Sequence, residues 1–241
     1  MADVARDAVV GGAPRDSAGV GDGPADLSRA AAPLLPLILD VRGVACLVVG
    51  GGRVAERKTV TLLGSGAAVR IVAPVATTRL RSLARSRSIT WIRSTYRRHH
   101  LTGTRLVFAT TSNPATNRAV ARDAARRGIF VNVADDPSRC TLLVPAVLRR
   151  GALLLAVSTS GESPSLARAL RDDLRRRLGP EYAAYVRILG GVRRLMRAAF
   201  ADPVARERRA RRLLKAPILP LLRTGRNAEA RRAALRAVGL S

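Results

Sequence analysis

Val44-Ala45-Cys46-Leu47-Val48-Val49-Gly50-Gly51-Gly52-Arg53-Val54-Ala55-Glu56-Arg57-Lys58 is the stretch that decides the fold. Six mostly apolar residues run straight into three glycines, and a helix-forming segment follows. That order predicts a buried parallel strand, a tight turn and a helix start, the parts of a phosphate-binding βα unit. Gly50, Gly52 and Ala55 fit G-x-G-x-x-G/A. The first glycine allows the turn, the second lets a pyrophosphate approach the backbone, and the small third residue lets helix pack on strand. Amides at the helix start then face the phosphates. Glycine-rich turns between strand and helix also serve purely structural ends, so it is the flanking strand and helix that favour nucleotide binding here.

Outward from this unit the same alternation continues. The helix carries Val54, Lys58, Leu62 and Leu63 and stops at Gly64-Ser65-Gly66. Ala68–Ala73 reads as a second strand closed by Pro74, followed by a short helix from Thr77 to Ser86 and a strand over Ile89–Ile92. Arg105–Ala109 is a further strand ending at the polar loop Thr110–Pro114. A helix from Ala115 to Arg127 then leads to the strand Ile129–Val133. Strands alternating with helices predict an α/β fold, a Rossmann-like doubly wound parallel sheet, with ligands beyond the strands' carboxyl ends. Gly50–Gly52, Pro74–Val75, Thr110–Asn113 and Asn132–Asp136 all fall at such ends.

Past the sheet, Thr141–Pro145 and Leu153–Val157 read as two apolar strands about a turn at Arg149-Arg150-Gly151. The loop Ser158-Thr159-Ser160-Gly161-Glu162-Ser163-Pro164 follows, with Ser163 an N-cap and Pro164 the first helical residue. Helices are expected over Ser165–Leu178 and Glu181–Phe200. Asp202–Ser241, Arg-rich and interrupted by Pro217 and Pro220, reads either as a helical cap or as a loosely held tail. The expected organisation is a disordered arm over 1–32, a nucleotide domain over 33–143, a dimerisation segment over 144–170 and a basic helical region over 171–241.

Composition narrows the function classes. The net charge is +26, carried almost wholly by arginine, since Lys58 and Lys215 are the only lysines. Such a balance fits nucleic acid, a polyanionic small substrate, or a codon bias that writes Arg at basic surface positions. Aromatics make up 3% of the chain, too few to build a stacking platform for single strands, which argues against a nucleic-acid partner. No apolar run is long enough to span a bilayer, so no membrane partner is expected. Cys46 and Cys140 make no disulfide framework, and with His99 and His100 (read as solvated surface residues) they show no metal-ligand spacing. No metal site and a reducing, cytoplasmic compartment are the expectation.

One feature of an NAD site is missing: the second strand ends in Ala73-Pro74, not in the carboxylate that selects a free ribose 2′-hydroxyl. Arg70, earlier in that strand, is an arginine able to tolerate a 2′-phosphate, and the choice between NAD and NADP stays open.

Leu37-Ile38-Leu39-Asp40, Val48–Lys58, Ala109-Thr110-Thr111 with Asn117, Asn132–Pro137, and Ala156–Pro164 with Ala167-Arg168 together resemble the precorrin-2 dehydrogenase / sirohydrochlorin ferrochelatase family. That family includes the amino-terminal part of bifunctional siroheme synthases, and the likeness spans Pro33 to Leu195. The resemblance implies an NAD-dependent oxidation of precorrin-2 to sirohydrochlorin, in some members followed by insertion of Fe²⁺, in a homodimer with a small helical end domain. This chain stops where bifunctional synthases continue into a methyltransferase domain, so no methyltransferase activity is expected.

Residue by residue, the resemblance assigns the key acid to Asp135, a carboxylate able to accept the proton lost with the hydride. Asp136 is the turn residue before Pro137. Gly50, Gly51, Gly52, Arg53 and Val54 line the cofactor, Pro74 and Val75 its adenosine side, and Thr110 and Thr111 its nicotinamide ribose. Capping of the next helix is the structural alternative for both threonines. Asn132, Ser158, Thr159 and Ser160 are the candidate substrate-binding residues. Two competing classes are a nucleotide-sensing module, which binds NAD and oxidises nothing, and a basic nucleic-acid binder with strongly salt-dependent affinity.

Overall fold

The structure is a computed structural model and describes residues 34–240; the arm expected over 1–32 lies outside the described residues. The described chain divides into two compact units, residues 40–141 and residues 34–39 with 142–240.

The first unit is a parallel sheet of β1 (Ala45–Val49), β2 (Ala68–Val72), β3 (Thr90–Ile92), β4 (Leu106–Ala109) and β5 (Phe130–Val133), in the order β3-β2-β1-β4-β5. Helices α1 (Arg53–Gly64), α2 (Thr78–Arg85) and α3 (Pro114–Ala125) provide crossovers. Right-handed crossovers set α1 and α2 against one face and α3 against the other, because the chain reverses direction at β1. The Rossmann-like doubly wound sheet expected from the sequence is therefore present. Its centre is an apolar run: Cys46, Leu47 and Val48 are fully buried, as a strand covered on both faces must be. The reversal leaves a crevice beyond the carboxyl ends of β1 and β4, where Gly50 and Thr110 lie.

The β3–β4 connection corrects the reading of the histidines. His99 is exposed, but His100 is only 6% exposed, and its Nδ1 accepts the Arg97 amide at 3.0 Å. An acceptor nitrogen must be unprotonated, and burial with His99, Arg70 and Arg97 nearby lowers the His100 pKa. Its folded pKa lies below its unfolded one, so the unfolded chain binds the extra proton. Stability is then complete above the ordinary histidine value of about 6.5 and is lost as pH falls through it. The expected result is a melting temperature that drops between pH 7 and pH 5, with a shallower drop in His100→Asn, whose amide oxygen replaces Nδ1. Equal slopes in the two proteins would remove His100 as the cause.

In the second unit, β6 (Ala146–Arg150) and β7 (Leu153–Val157) form an antiparallel hairpin. Two expectations are corrected here. Thr141–Pro145 is not a strand; the strand begins after Pro145, where Leu148 is buried between exposed neighbours. Arg149 and Arg150 belong to that strand, and the turn is made at Gly151, whose φ of 57° suits glycine. Helix α4 (Pro164–Arg177) starts as expected, with the Ser163 hydroxyl accepting the Leu166 amide at 3.3 Å.

Between the two readings of the carboxyl-terminal stretch, the structure selects the helical one. Helices α5 (Glu181–Ala199), α6 (Pro203–Lys215), α7 (Ile218–Arg223) and α8 (Asn227–Val238) enclose a core of Val192, Met196, Leu213, Ile218, Leu222, Ala230, Ala234 and Val238. The two prolines sit where no helical amide is lost: Pro217 caps α7 and Pro220 lies in its first turn. Asp202 caps α6 by accepting the Val204 and Ala205 amides, each at 3.0 Å. Ile218 is fully buried, so Ile218→Ala is expected to cost about 2–5 kcal/mol. Denaturant unfolding followed by helical circular dichroism checks this, and a loss under about 1 kcal/mol would mean a tail held only loosely.

Candidate dinucleotide-binding site

Each of the three glycines meets a different surrounding. Gly50 has φ +125°, and a Cβ there would lie 2.8 Å from the Thr110 carbonyl and hydroxyl oxygens. A Cβ on Gly51 would come within 1.9 Å of the Val75 carbonyl. A Cβ on Gly52 would meet nothing within 4 Å. The first two glycines are required by the protein's own backbone. The third presents bare backbone to open space.

Gly52 is also the N-cap of α1 and brings no side-chain cap, so the first helical bond runs from the Glu56 amide to its carbonyl at 3.0 Å. The amides before Glu56, in the turn that begins at Arg53 and Val54, have no helical acceptors and are free for an anion. Open space, unspent amides and the positive end of a helix suit a pyrophosphate. The residues present therefore fit a dinucleotide.

The loop after β2 closes over this turn. The Thr77 amide donates to the Gly51 carbonyl at 3.0 Å, and the Thr77 hydroxyl donates to Glu56 Oε2 at 2.6 Å. Pro74 and Val75 between them stay exposed, Val75 at 73%. Exposed apolar surface beside a phosphate turn suits the flat face of an adenine. Arg70, the arginine considered for a 2′-phosphate, is committed elsewhere: its Nη2 donates to the Thr102 carbonyl at 2.7 Å and to Thr104 Oγ1 at 2.9 Å. That expectation is corrected, because the guanidinium anchors the β3–β4 connection.

Beyond β4, Thr110 is buried and its hydroxyl donates to the Val49 carbonyl at 2.9 Å, tying β4 to the glycine turn. Thr111 Oγ1 lies 2.7 Å from Asn117 Oδ1 and 3.0 Å from the Asn113 carbonyl. Asn113 caps α3, accepting the Ala115 and Thr116 amides at 2.8 and 3.2 Å. Both threonines thus hold the rim of the crevice through their own bonds.

Within β5, Asn132 is buried, and beyond the strand Asp135 is exposed with φ +61°, a left-handed conformation that an aspartate adopts more readily than most residues. Asp136 is engaged: it pairs with Arg139 at 2.9 Å, and Oδ1 accepts the Ser138 hydroxyl at 2.7 Å. The Asp135 carboxylate makes no hydrogen bond or ion pair among the described residues. Two adjacent aspartates thus have different surroundings, one spent on its loop and one open.

Several residues at this end of the sheet were given no part in the site by the sequence. Lys58 stands over the Phe108 ring, 5.5 Å from its centroid, and burial lowers its pKa. Cys140, read only as a free thiol, is buried against β5. Thr77 gave a signal, a hydroxyl at a helix start just past a strand end, but its grip on Gly51 and Glu56 is tertiary. Ser158, Thr159 and Ser160 belong to the second unit. There Ser158 Oγ accepts the Ser160 amide at 3.1 Å and Thr159 Oγ1 accepts the Ser163 amide at 3.0 Å, leaving each hydroxyl proton free to be donated.

The fold and this turn define a Rossmann-like dinucleotide-binding protein, and the profile of a family of NAD(P)-binding domains matches residues 37–146. Siroheme synthase 1 of Aeromonas salmonicida is 38% identical over 182 residues, 76% of this chain and 39% of that protein. Siroheme synthase of Xylella fastidiosa is 40% identical over 198 residues, 82% of this chain and 42% of that protein. Among solved structures, "SirC, precorrin-2 dehydrogenase" superposes with a TM-score of 0.72 at 24% identity, covering 86% of this chain and all of that one. Over the length it shares with them, the chain is similar to the siroheme synthases. It spans about 40% of the length of the siroheme synthases it matches.

Proposed function

We propose that this protein oxidises precorrin-2 to sirohydrochlorin with NAD⁺. The observation that carries the proposal is the open Asp135 carboxylate at the end of β5, on the same edge of the sheet as the open, amide-lined turn at Gly52. The nicotinamide, when bound, supplies a two-electron acceptor for hydride. The residues of the chain do the rest. The turn amides hold the pyrophosphate, and the exposed Pro74 and Val75 receive the adenosine. Asp135 accepts the proton that leaves the macrocycle with the hydride and passes it to water, so that precorrin-2 and NAD⁺ give sirohydrochlorin, NADH and H⁺. Asn132 is proposed to bond polar groups of the substrate, and in the second unit Ser158 and Thr159, whose hydroxyl protons are left to donate, are proposed for the same role together with Ser160. The arginine excess raises the local concentration of a substrate with eight carboxylates.

Ferrochelation is the second activity proposed. Asp135 can take the two pyrrole protons in turn and pass them to water as Fe²⁺, a substrate here, enters the ring, so that sirohydrochlorin and Fe²⁺ give siroheme and two protons. The tetrapyrrole's own nitrogens are the donors that receive the ion. A homodimer is proposed from the second unit, which leaves Leu35, Leu37, Ile38, Val147, Leu166 and Leu170 exposed. The two free thiols suit the reducing cytoplasm, and among the described residues no helix is long and apolar enough to cross a membrane.

The test is anaerobic incubation of the purified protein with precorrin-2 and NAD⁺, following NADH and sirohydrochlorin by absorbance. Matched appearance of the two supports the dehydrogenase, and adding Fe²⁺ to the product decides chelation. A protein that binds NAD⁺ and oxidises nothing would be a nucleotide sensor.

A further inference from the structure

Between Val133 and Cys140 the chain makes a six-residue loop whose second member is Asp135. The loop is closed at its base by side chains. The Val133 amide donates to Cys140 Sγ at 3.1 Å, and Sγ lies 3.4 Å from both the Val133 and the Asp136 carbonyls. Asn132 Nδ2 approaches the same sulfur at 3.6 Å. One residue further, the Thr141 amide donates to the Val131 carbonyl and Thr141 Oγ1 accepts the Val131 amide, both at 2.9 Å. Cys140 and Thr141 thus dock along the outer edge of β5, with one backbone bond to the Val131 carbonyl and side-chain acceptors at the Val131 and Val133 amides where a sixth strand would offer carbonyls.

The thiol is suited to this place. Burial pushes its pKa up, so it keeps its proton, and a thiol offers one donor and a weak acceptor. It serves the Val133 amide as acceptor and donates to one of the two carbonyls in reach. Serine offers the same groups on a shorter bond. Valine fills similar space with neither.

We propose that the Cys140–Thr141 clamp is the positioning element for Asp135, setting the carboxylate's reach through the shape of the loop. The inference rests on the proposed dehydrogenation, since it assigns Asp135 a proton to collect. The residues on either side of Asp135 are held: the Ala134 amide by the Ala109 carbonyl at 2.9 Å, and Asp136 by Arg139 and Ser138. Asp135 alone is left unbonded, in a left-handed conformation that persists only while its surroundings enforce it. A loop released from Sγ relaxes by an ångström or so, and displacement of that size costs a reacting geometry about 10²-fold.

The experiment compares Cys140→Val, Cys140→Ser and Thr141→Val with the unmodified protein. Three quantities are read: kcat and KM for precorrin-2, Kd for NAD⁺ by calorimetry, and hydrogen exchange over residues 131–141. The expected result for Cys140→Val is a kcat lower by about 10- to 100-fold, an NAD⁺ affinity changed by less than about twofold, and faster exchange at the Val133 amide. Cys140→Ser is expected to restore kcat to within about fivefold of the unmodified protein, because it retains donor and acceptor. Thr141→Val, whose residue is exposed, replaces Cys140→Val should that variant not fold, with the same pattern expected at the Val131 amide. A normal kcat with accelerated exchange overturns the clamp's role, as does an equal loss in the serine and valine variants. If the unmodified protein binds NAD⁺ and oxidises no precorrin-2, it is the dehydrogenase reading that has failed. Unchanged exchange in the valine variants then separately removes the clamp.

Discussion

Asp135→Asn is expected to lower kcat for the proposed precorrin-2 oxidation by about 10²- to 10⁴-fold, the range a positioned acid or base contributes, and to leave NAD⁺ affinity within about twofold. Asparagine is the informative replacement. It tolerates the left-handed backbone that Asp135 adopts at φ +61°, so the loop keeps its shape while the base is lost. Alanine would pay for that backbone and confuse strain with chemistry. The neighbouring Asp136→Asn serves as the contrast. It loses a half-exposed ion pair to Arg139, worth at most about 1 kcal/mol, and should cost activity far less. Steady-state kinetics with calorimetric NAD⁺ binding on the same preparations check both. Should Asp135→Asn retain more than about a third of kcat, the proton has another acceptor and the catalytic assignment is lost.

The contrast between these two aspartates also marks how far the sequence could be read. The Asp-Asp-Pro order was enough to call Asp136 the turn residue, because an aspartate before proline bonds its own loop, and the structure shows that bonding. The sheet was legible for a similar local reason: buried strands and capped helices announce themselves by period and by glycine, as at Gly50 and at the Ser163-Pro164 helix start. Legibility failed where an interaction spans distant segments. Arg70 looked available for a phosphate because nothing local showed that its guanidinium reaches carbonyls some thirty residues on. His100 looked like His99, since only packing of the β3–β4 connection separates a buried imidazole from an exposed one. Thr141–Pro145 had the composition of a strand, yet its first residue is captured by Val131, so pairing begins only after Pro145. The carboxyl-terminal helices were ambiguous because their many arginines masked a stripe of small and branched residues that close on one another only in three dimensions.

Gly51 and Gly52 are indistinguishable as letters, and the structure predicts opposite failures for them. Gly51→Ala places a methyl group 1.9 Å from the Val75 carbonyl, far inside contact distance, so the β2–α2 loop or the turn itself must move. The expected cost is about 1–3 kcal/mol of stability or more, with dinucleotide affinity lost as a consequence. Gly52→Asp does the reverse. Its side chain enters open space at the N-cap of α1, a position where aspartate is favoured and glycine leaves the first amides unsatisfied. The helix should gain about 0.5 kcal/mol from the cap and from a negative charge at the positive end of its dipole. The same carboxylate consumes the amides a pyrophosphate needs and sets a like charge against it. At 4 Å and an effective dielectric constant near 20, that repulsion is about 4 kcal/mol, so a fall of at least about 10²-fold in NAD⁺ affinity is expected. Calorimetry and thermal melts on the two variants separate the cases: Gly51→Ala melts earlier, while Gly52→Asp melts no earlier than the parent and does not bind. If Gly52→Asp retains parental affinity, the phosphates do not sit on this turn, and the dinucleotide must be sought elsewhere along the carboxyl edge of the sheet.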